Sequence, residues 1–294
     1  MALDLLYLYV LDILLEYGVF LIIALGCYVT MMAGQLSMAH GALASLGAYA
    51  TAVITVELGL PVWLGVPAGM VAGALGGLFM TYVVAYRLVG MYLAIATFAF
   101  AEGLAVVYRN IEYIGGTLGI VGIPIVTNLP FVGAVIAVVS FFLWRFEKSY
   151  LGRAFRATFD DERIAEAMGV NLRYIKLLAW TVGGGISGIG GALFAHNIGI
   201  IRPDNFQVQF SVLVLLAPII GGYTRFYGVF IGSFVIIFGP HILNITEPET
   251  KTVLYGLLYI AFMLWRPDGV IDRAGFRLPK VFRLLLRTPS QGRP

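Results

Sequence analysis

The sequence is poor in charge and in reactive side chains. Of 294 residues only 12% are charged and one is cysteine, against 60% hydrophobic residues and a mean hydropathy of +0.91. A soluble domain carries about 25% charged residues, so this chain cannot clothe a water-facing surface of its size. Cys27, alone in an apolar run, excludes an internal disulfide and a multi-cysteine metal site. His40, His196 and His241 lie far apart with no second ligand at i+3 or i+4, which sets a metalloenzyme aside. There is no Gly-x-Ser-x-Gly elbow. None of Lys148, Lys176, Lys251 and Lys280 follows a glycine, so a phosphate-binding P-loop is absent and the chain has no ATPase site of its own. The basic residues lack interleaved aromatic platforms, so no nucleic-acid partner is expected, and no cofactor or metal is implied.

What remains is a polytopic membrane pattern. A spanning helix needs roughly 20 mostly apolar residues. Candidate spans fall at 17–33, 37–56, 62–86, 91–108, 130–146, 177–199, 209–223, 227–245 and 253–266, so the expected fold is an all-α polytopic membrane protein with about eight to nine transmembrane helices. The segment 209–223 carries Pro218 and ends in Gly221-Gly222, which predicts a broken or partly re-entrant helix. Residues 1–16 carry acidic but no basic side chains and are expected to form an interfacial lead-in to the domain 17–270 or, equally, the outer end of its first span. Basic residues crowd 145–176 and the tail 271–294, which places both in the cytoplasm. Within the tail, 276–287 should lie on the anionic leaflet as a lipid-contacting helix, the alternative being a disordered tail, since Pro279 and the final PSQGRP break order. The same parity puts Arg225 in a tight inside turn. Gly69, Gly73 and Gly77 form a small-xxx-small ladder, and glycines crowd 183–191, so that helix is expected in the bundle centre.

The loop 147–176 holds the most informative soluble stretch. Thr158, Asp161 and Gly169 predict one short helix over 158–169, capped at its start and stopped at its end. Asp160, Asp161, Glu162, Arg163 and Glu166 give it a wet face, and Ile164, Ala167 and Met168 an apolar stripe. Such a stripe either lies on its own bundle or docks another subunit. Among the spans, Glu102 is the ionisable residue placed deepest, with Arg109 on the same face. It either lines a pathway or caps a neighbouring helix. Gln35, Ser37, His40 and Thr97 are the other polar candidates for a translocation pathway, His40 being equally readable as a structural hydrogen bonder.

These stretches carry a resemblance. GRAFRATFDDERIAEAMGVN with the following YIKLLAW resembles the cytoplasmic coupling loop of branched-chain amino acid ABC importer permeases of the M type (LivM-like). GQLSMAHGALASLGAYATA at 34–52, LVGMYLAIATFAFAEG at 88–103, GGTLGIVGIP at 115–124 and LYGLLYIAFMLWRPDGV at 254–270 are similar to further segments of that family, in order. The resemblance implies a permease subunit in a bacterial-type inner membrane. Its coupling helix would lie between the fifth and sixth spans, with Arg156 in the same coupling surface, and Gly115, Gly116 and Thr117 would form an external loop beside the pathway. Implied partners are a homologous permease subunit, two cytoplasmic ATP-binding subunits and a periplasmic solute-binding protein. Implied solutes are branched-chain or other small amino acids, urea or an amide. An ion-coupled carrier, a membrane-embedded enzyme and a scaffold subunit remain alternatives.

Overall fold

The computed structural model describes residues 2–243 and 248–265. The chain is helical nearly throughout. Helix α1 (Ala2–Met32) runs unbroken across the boundary expected at residue 16, so the lead-in and the first span are one helix. It is followed by α2 (His40–Ala52), α3 (Val62–Met80), α4 (Gly90–Asn110), α5 (Leu129–Lys148), α6 (Tyr150–Asp160) and α7 (Glu162–Ala167). The second half comprises α8 (Leu172–Ile198), α9 (Val208–Gly221), α10 (Phe226–Ile242) and α11 (Pro248–Trp265). Short π-helical turns extend α2 over Val53–Glu57 and α3 over Thr81–Ala85. Two-residue strands β1 (Ile120–Val121) and β2 (Ile200–Ile201) pair antiparallel, with Ile120 opposite Ile201.

Among the described residues, six segments are long and apolar enough to cross a membrane: Tyr7–Met32, Val62–Ala85, Gly90–Asn110, Leu129–Lys148, Leu172–Ile198 and Pro203–Gly221. Phe226–Ile242 and Thr250–Phe262 are shorter apolar helices. The expectation of a broken helix over 209–223 is corrected, since α9 is continuous through Pro218. A proline removes the bond to the carbonyl four residues back. Pro218 stands in the last turn, so this frees only the Val214 carbonyl, and Gly222 at φ +105° then ends the helix.

The core forms around α8, which packs against α1, α2 and α3. The glycine ladder explains how. A Cβ on Gly73 would collide with the Gly184 carbonyl, and one on Gly188 with the Gly69 carbonyl, so α3 and α8 touch backbone to backbone. Lipid tails give helices no hydrophobic reason to associate, and close approach supplies the van der Waals contact instead. Helix α2 is buried along almost its whole length.

Antiparallel packing sorts the helix ends. One end of the bundle gathers the C-termini of α1, α5 and α9, the N-termini of α8 and α10, and all of α6 and α7. The other gathers the C-termini of α4 and α8 with β1 and β2.

The single helix expected over 158–169 is corrected to two. Thr158 lies inside α6, where its hydroxyl donates to the Ala154 carbonyl at 3.0 Å. The chain turns at Asp161 (φ −162°, ψ 115°), whose carboxylate accepts from the Arg163 and Ile164 amides at 2.8 and 3.1 Å and starts α7. A side chain that caps two orphan amides fixes a helix start more strongly than a threonine that can bond back within its own turn.

Candidate functional site

The segment between α1 and α2 builds the first polar cluster. Gly34, at φ +76°, turns the chain back beneath the end of α1. Ser37 accepts from the Ala39 amide at 3.1 Å, and the Met38 amide donates to Thr97 Oγ1 at 3.0 Å, so the link is pinned to α4. His40, fully enclosed, joins Thr30 Oγ1 through Nε2 and Ser187 Oγ through Nδ1, both at 2.9 Å, and stacks against Trp180. Both ring nitrogens are engaged, so His40 ties α1, α2 and α8 together. Gln35 is equally buried, and its Nε2 donates to Glu162 Oε1 at 3.2 Å while its Oε1 has no partner.

That last bond joins the two sets of residues singled out from the sequence. Glu162 opens α7, and its second oxygen pairs with Lys176 of α8 at 3.0 Å. Glu162 therefore ties α7 both to α8 and to the α1–α2 link. Around Glu162, α7 turns Ala165 inward and leaves Asp161, Arg163, Glu166, Ala167 and Gly169 exposed. Ile164 is 64% and Met168 81% exposed, an apolar pair on a helix otherwise rich in charge. Gly169, at φ +86°, stops the helix as expected. Asp160, the last residue of α6, is exposed.

Glu102 and Arg109 do not meet. Glu102 Oε1 accepts from the Val208 amide at 3.3 Å, capping the first turn of α9, whereas Arg109 pairs with Asp204 at 2.8 Å. The Glu102 carboxylate thus meets the start of a neighbouring helix, as its capping alternative expects. Gly115, Gly116 and Thr117 lie at the opposite end from Gln35 and Ser37. Gly115, Gly116 and Gly119 all have positive φ, and a Cβ on Gly119 would strike the Ile201 carbonyl, so this loop is clamped to the β1–β2 ribbon.

One residue escaped the sequence reading. Glu147, 5% exposed, sits in the last turn of α5, where the helix dipole disfavours an acid. It accepts the Tyr28 hydroxyl at 2.6 Å and the Phe226 amide at 2.8 Å, and faces Arg156 at 3.2 Å and Arg225 at 3.5 Å. Its signal was available as a lone acid between Arg145 and Lys148 at a helix C-terminus. Arg225, isolated in the sequence in its tight turn, gains its partner here.

Comparison with known proteins bears on the whole bundle. Residues 9–263 match the family described as branched-chain amino acid transport system / permease component. The LivM permease protein of the high-affinity branched-chain amino acid transport system of Escherichia coli (strain K12) is 29% identical over 86% of this chain and 68% of its own length. The ribose import permease RbsC of Haemophilus influenzae is 25% identical over 81% of this chain and 78% of its own. The autoinducer 2 import permease LsrC of Escherichia coli (strain K12 / DH10B) is 23% identical over 71% and 62%. No solved structure matches. Because the family match runs from α1 into α11, the chain belongs to the permease components of the branched-chain amino acid transport family.

Proposed function

We propose that the chain is one membrane-spanning half of an ATP-driven importer for small amino acids, with energy supplied by separate ATP-binding subunits that grip α6 and α7. The observation that carries this is the exposed Ile164–Met168 pair on a capped helix, whose first residue Glu162 bonds to Gln35 of the buried α1–α2 link. Large apolar side chains surrounded by charge on a water-facing helix fit a partner surface. A grip there would shift the bundle as packed bodies between two arrangements.

Orientation follows from charge. Arg145, Lys148, Arg153, Arg156, Arg163, Arg173, Lys176 and Arg225 share the end that holds α6 and α7, while Arg109 and Arg202 lie at the other. Positive charge marks the cytoplasmic side. On this reading α1, α2 with its π turn, α3, α4, α5, α8, α9, α10 and α11 alternate in direction as nine passes. The coupling helices then fall between the fifth and sixth, and α2 and α9 are short because neighbouring helices sheathe them. The tail 271–294, expected on the cytoplasmic leaflet, lies outside the described residues. A second, homologous permease, a solute-binding protein on the outer face and two ATP-binding subunits complete the assembly. Branched-chain amino acids are the leading solutes, by the relatives' names.

The test is reconstitution in liposomes with ATP-binding subunits and binding protein. Leucine or valine uptake should require internal ATP and vanish when the ATP-binding subunits are omitted. Uptake by this chain alone under a proton or sodium gradient would overturn the proposal.

A further inference from the structure

Glu147 is buried and joined to three different parts of the chain, by hydrogen bonds to Tyr28 and Phe226 and ion pairs with Arg156 and Arg225, more than a packing role at the end of α5 requires. On the proposed reading, in which α6 and α7 receive the ATP-driven stroke, we infer that Glu147 is the positioning residue that passes this stroke to α1 and α10.

The two carboxylate oxygens divide the work. Oε1 accepts from the Tyr28 hydroxyl on α1 at 2.6 Å and from the first amide of α10, Phe226, at 2.8 Å. An anion at a helix N-terminus satisfies an orphan donor and complements the dipole, so this oxygen fixes α10 to α1. Oε2 faces the guanidinium of Arg156 on α6 at 3.2 Å and that of Arg225, just before α10, at 3.5 Å. Glu147 itself is buried, yet the two arginine side chains are 33% and 39% exposed.

Those arginines face a cavity of about 290 Å³ whose remaining walls include Phe159 and Asp160 from the end of α6 and Tyr223 and Thr224 from the α9–α10 turn. The Phe159 and Tyr223 rings meet at a centroid distance of 5.1 Å, so the end of α6 and the turn touch beside the cavity, with Glu147 joining them from behind. The cavity gives the guanidinium arms room to move while the Oε1 bonds hold. Separating the ions would leave an uncompensated buried charge, so a displaced α6 drags the carboxylate and its other partners along. A rigid contact would transmit force without tolerance for angle. A carboxylate shared by two flexible guanidiniums transmits it over a range of positions.

The experiment uses the complete importer in liposomes and reads solute transported per ATP hydrolysed. Glu147→Gln keeps an acceptor for Tyr28 and Phe226 but removes the charge facing both arginines. Its complex should assemble with normal amounts of ATP-binding subunits and hydrolyse ATP, with the transport ratio down about tenfold, a typical size for a coupling free energy. Glu147→Asp, which keeps the charge on a shorter arm, should recover part of the ratio. Arg225→Gln trims one exposed arm and should lower the ratio by about threefold on the same scale. An unchanged ratio in Glu147→Gln, with or without lower yield, assigns the residue to packing and overturns the inference. Should that variant not assemble, Arg225→Gln decides by the same criterion. Absence of ATP-binding subunits from the unaltered complex would instead overturn the proposed function, so the two failures are distinguishable.

Discussion

The α3–α8 crossing and the Glu147 junction hold the same bundle by opposite means. At the crossing, Gly69, Gly73, Gly184 and Gly188 bring two backbones into contact, with no side chain between them. At the junction, one carboxylate holds four partners at 2.6 to 3.5 Å beside a cavity of about 290 Å³. Backbone contact permits one arrangement, because packed surfaces do not deform gradually. Ion pairs at the edge of a cavity permit several. The centre of the molecule is thus built to stay whole, and on the proposed reading the end that holds α6 and α7 moves against it.

Substitutions can break each side of this contrast. Gly73→Leu or Gly188→Leu should give the largest effect: overpacking costs about 1–3 kcal/mol even where neighbours can yield, and here the neighbours are carbonyls that cannot. Detergent-solubilised yield and melting temperature should collapse, and a normally melting variant would refute backbone contact as the organising feature. Met168→Asp comes next. It should leave yield and melting temperature unchanged while lowering uptake about tenfold or more, the scale of a hot-spot contact.

Smaller effects refine the polar cluster. His40→Leu should lower stability by about 1 kcal/mol, the usual size of an interhelical hydrogen bond in membranes, since Thr30 and Ser187 keep carbonyl acceptors at Cys27 and Ile23. Glu102→Gln retains the oxygen that caps α9, so uptake should change by less than about twofold, whereas Glu102→Ala should cost about 1 kcal/mol as caps do. A large uptake loss in Glu102→Gln at normal yield would return that carboxylate to the pathway. Arg109→Ala, at an exposed pair, should shift stability by less than about 0.5 kcal/mol.

Much of this architecture was legible because it follows from one-dimensional patterns. Apolar runs mark the helices, and the Gly69–Gly73–Gly77 spacing identifies the face that meets α8. The exposed stripe of Ile164 and Met168 was readable from period alone. The break at Asp161 was not, because Thr158 and Asp161 both offer cap chemistry and only packing decides which is used; Phe155 docking edge-on to Phe146 at 4.9 Å continues α6 past Thr158. Glu147 was hidden for a different reason. Of its partners, Tyr28 lies 119 and Phe226 79 residues away, so no local window contains them. Gln35 and Glu162 were each found, but their bond, 127 residues apart in sequence, is a product of the fold.

The central claim is that α7 is the surface an ATP-binding subunit grips from the cytoplasm. Cys27 is fully buried, so Met168→Cys supplies an accessible thiol at the tip of that surface. In inside-out vesicles carrying the whole importer, a short bifunctional reagent should link Cys at 168 to an ATP-binding subunit, and ATP should alter the yield. Labelling of that thiol from the external face of right-side-out vesicles, or cross-links only to lipid or to this chain itself, would contradict it.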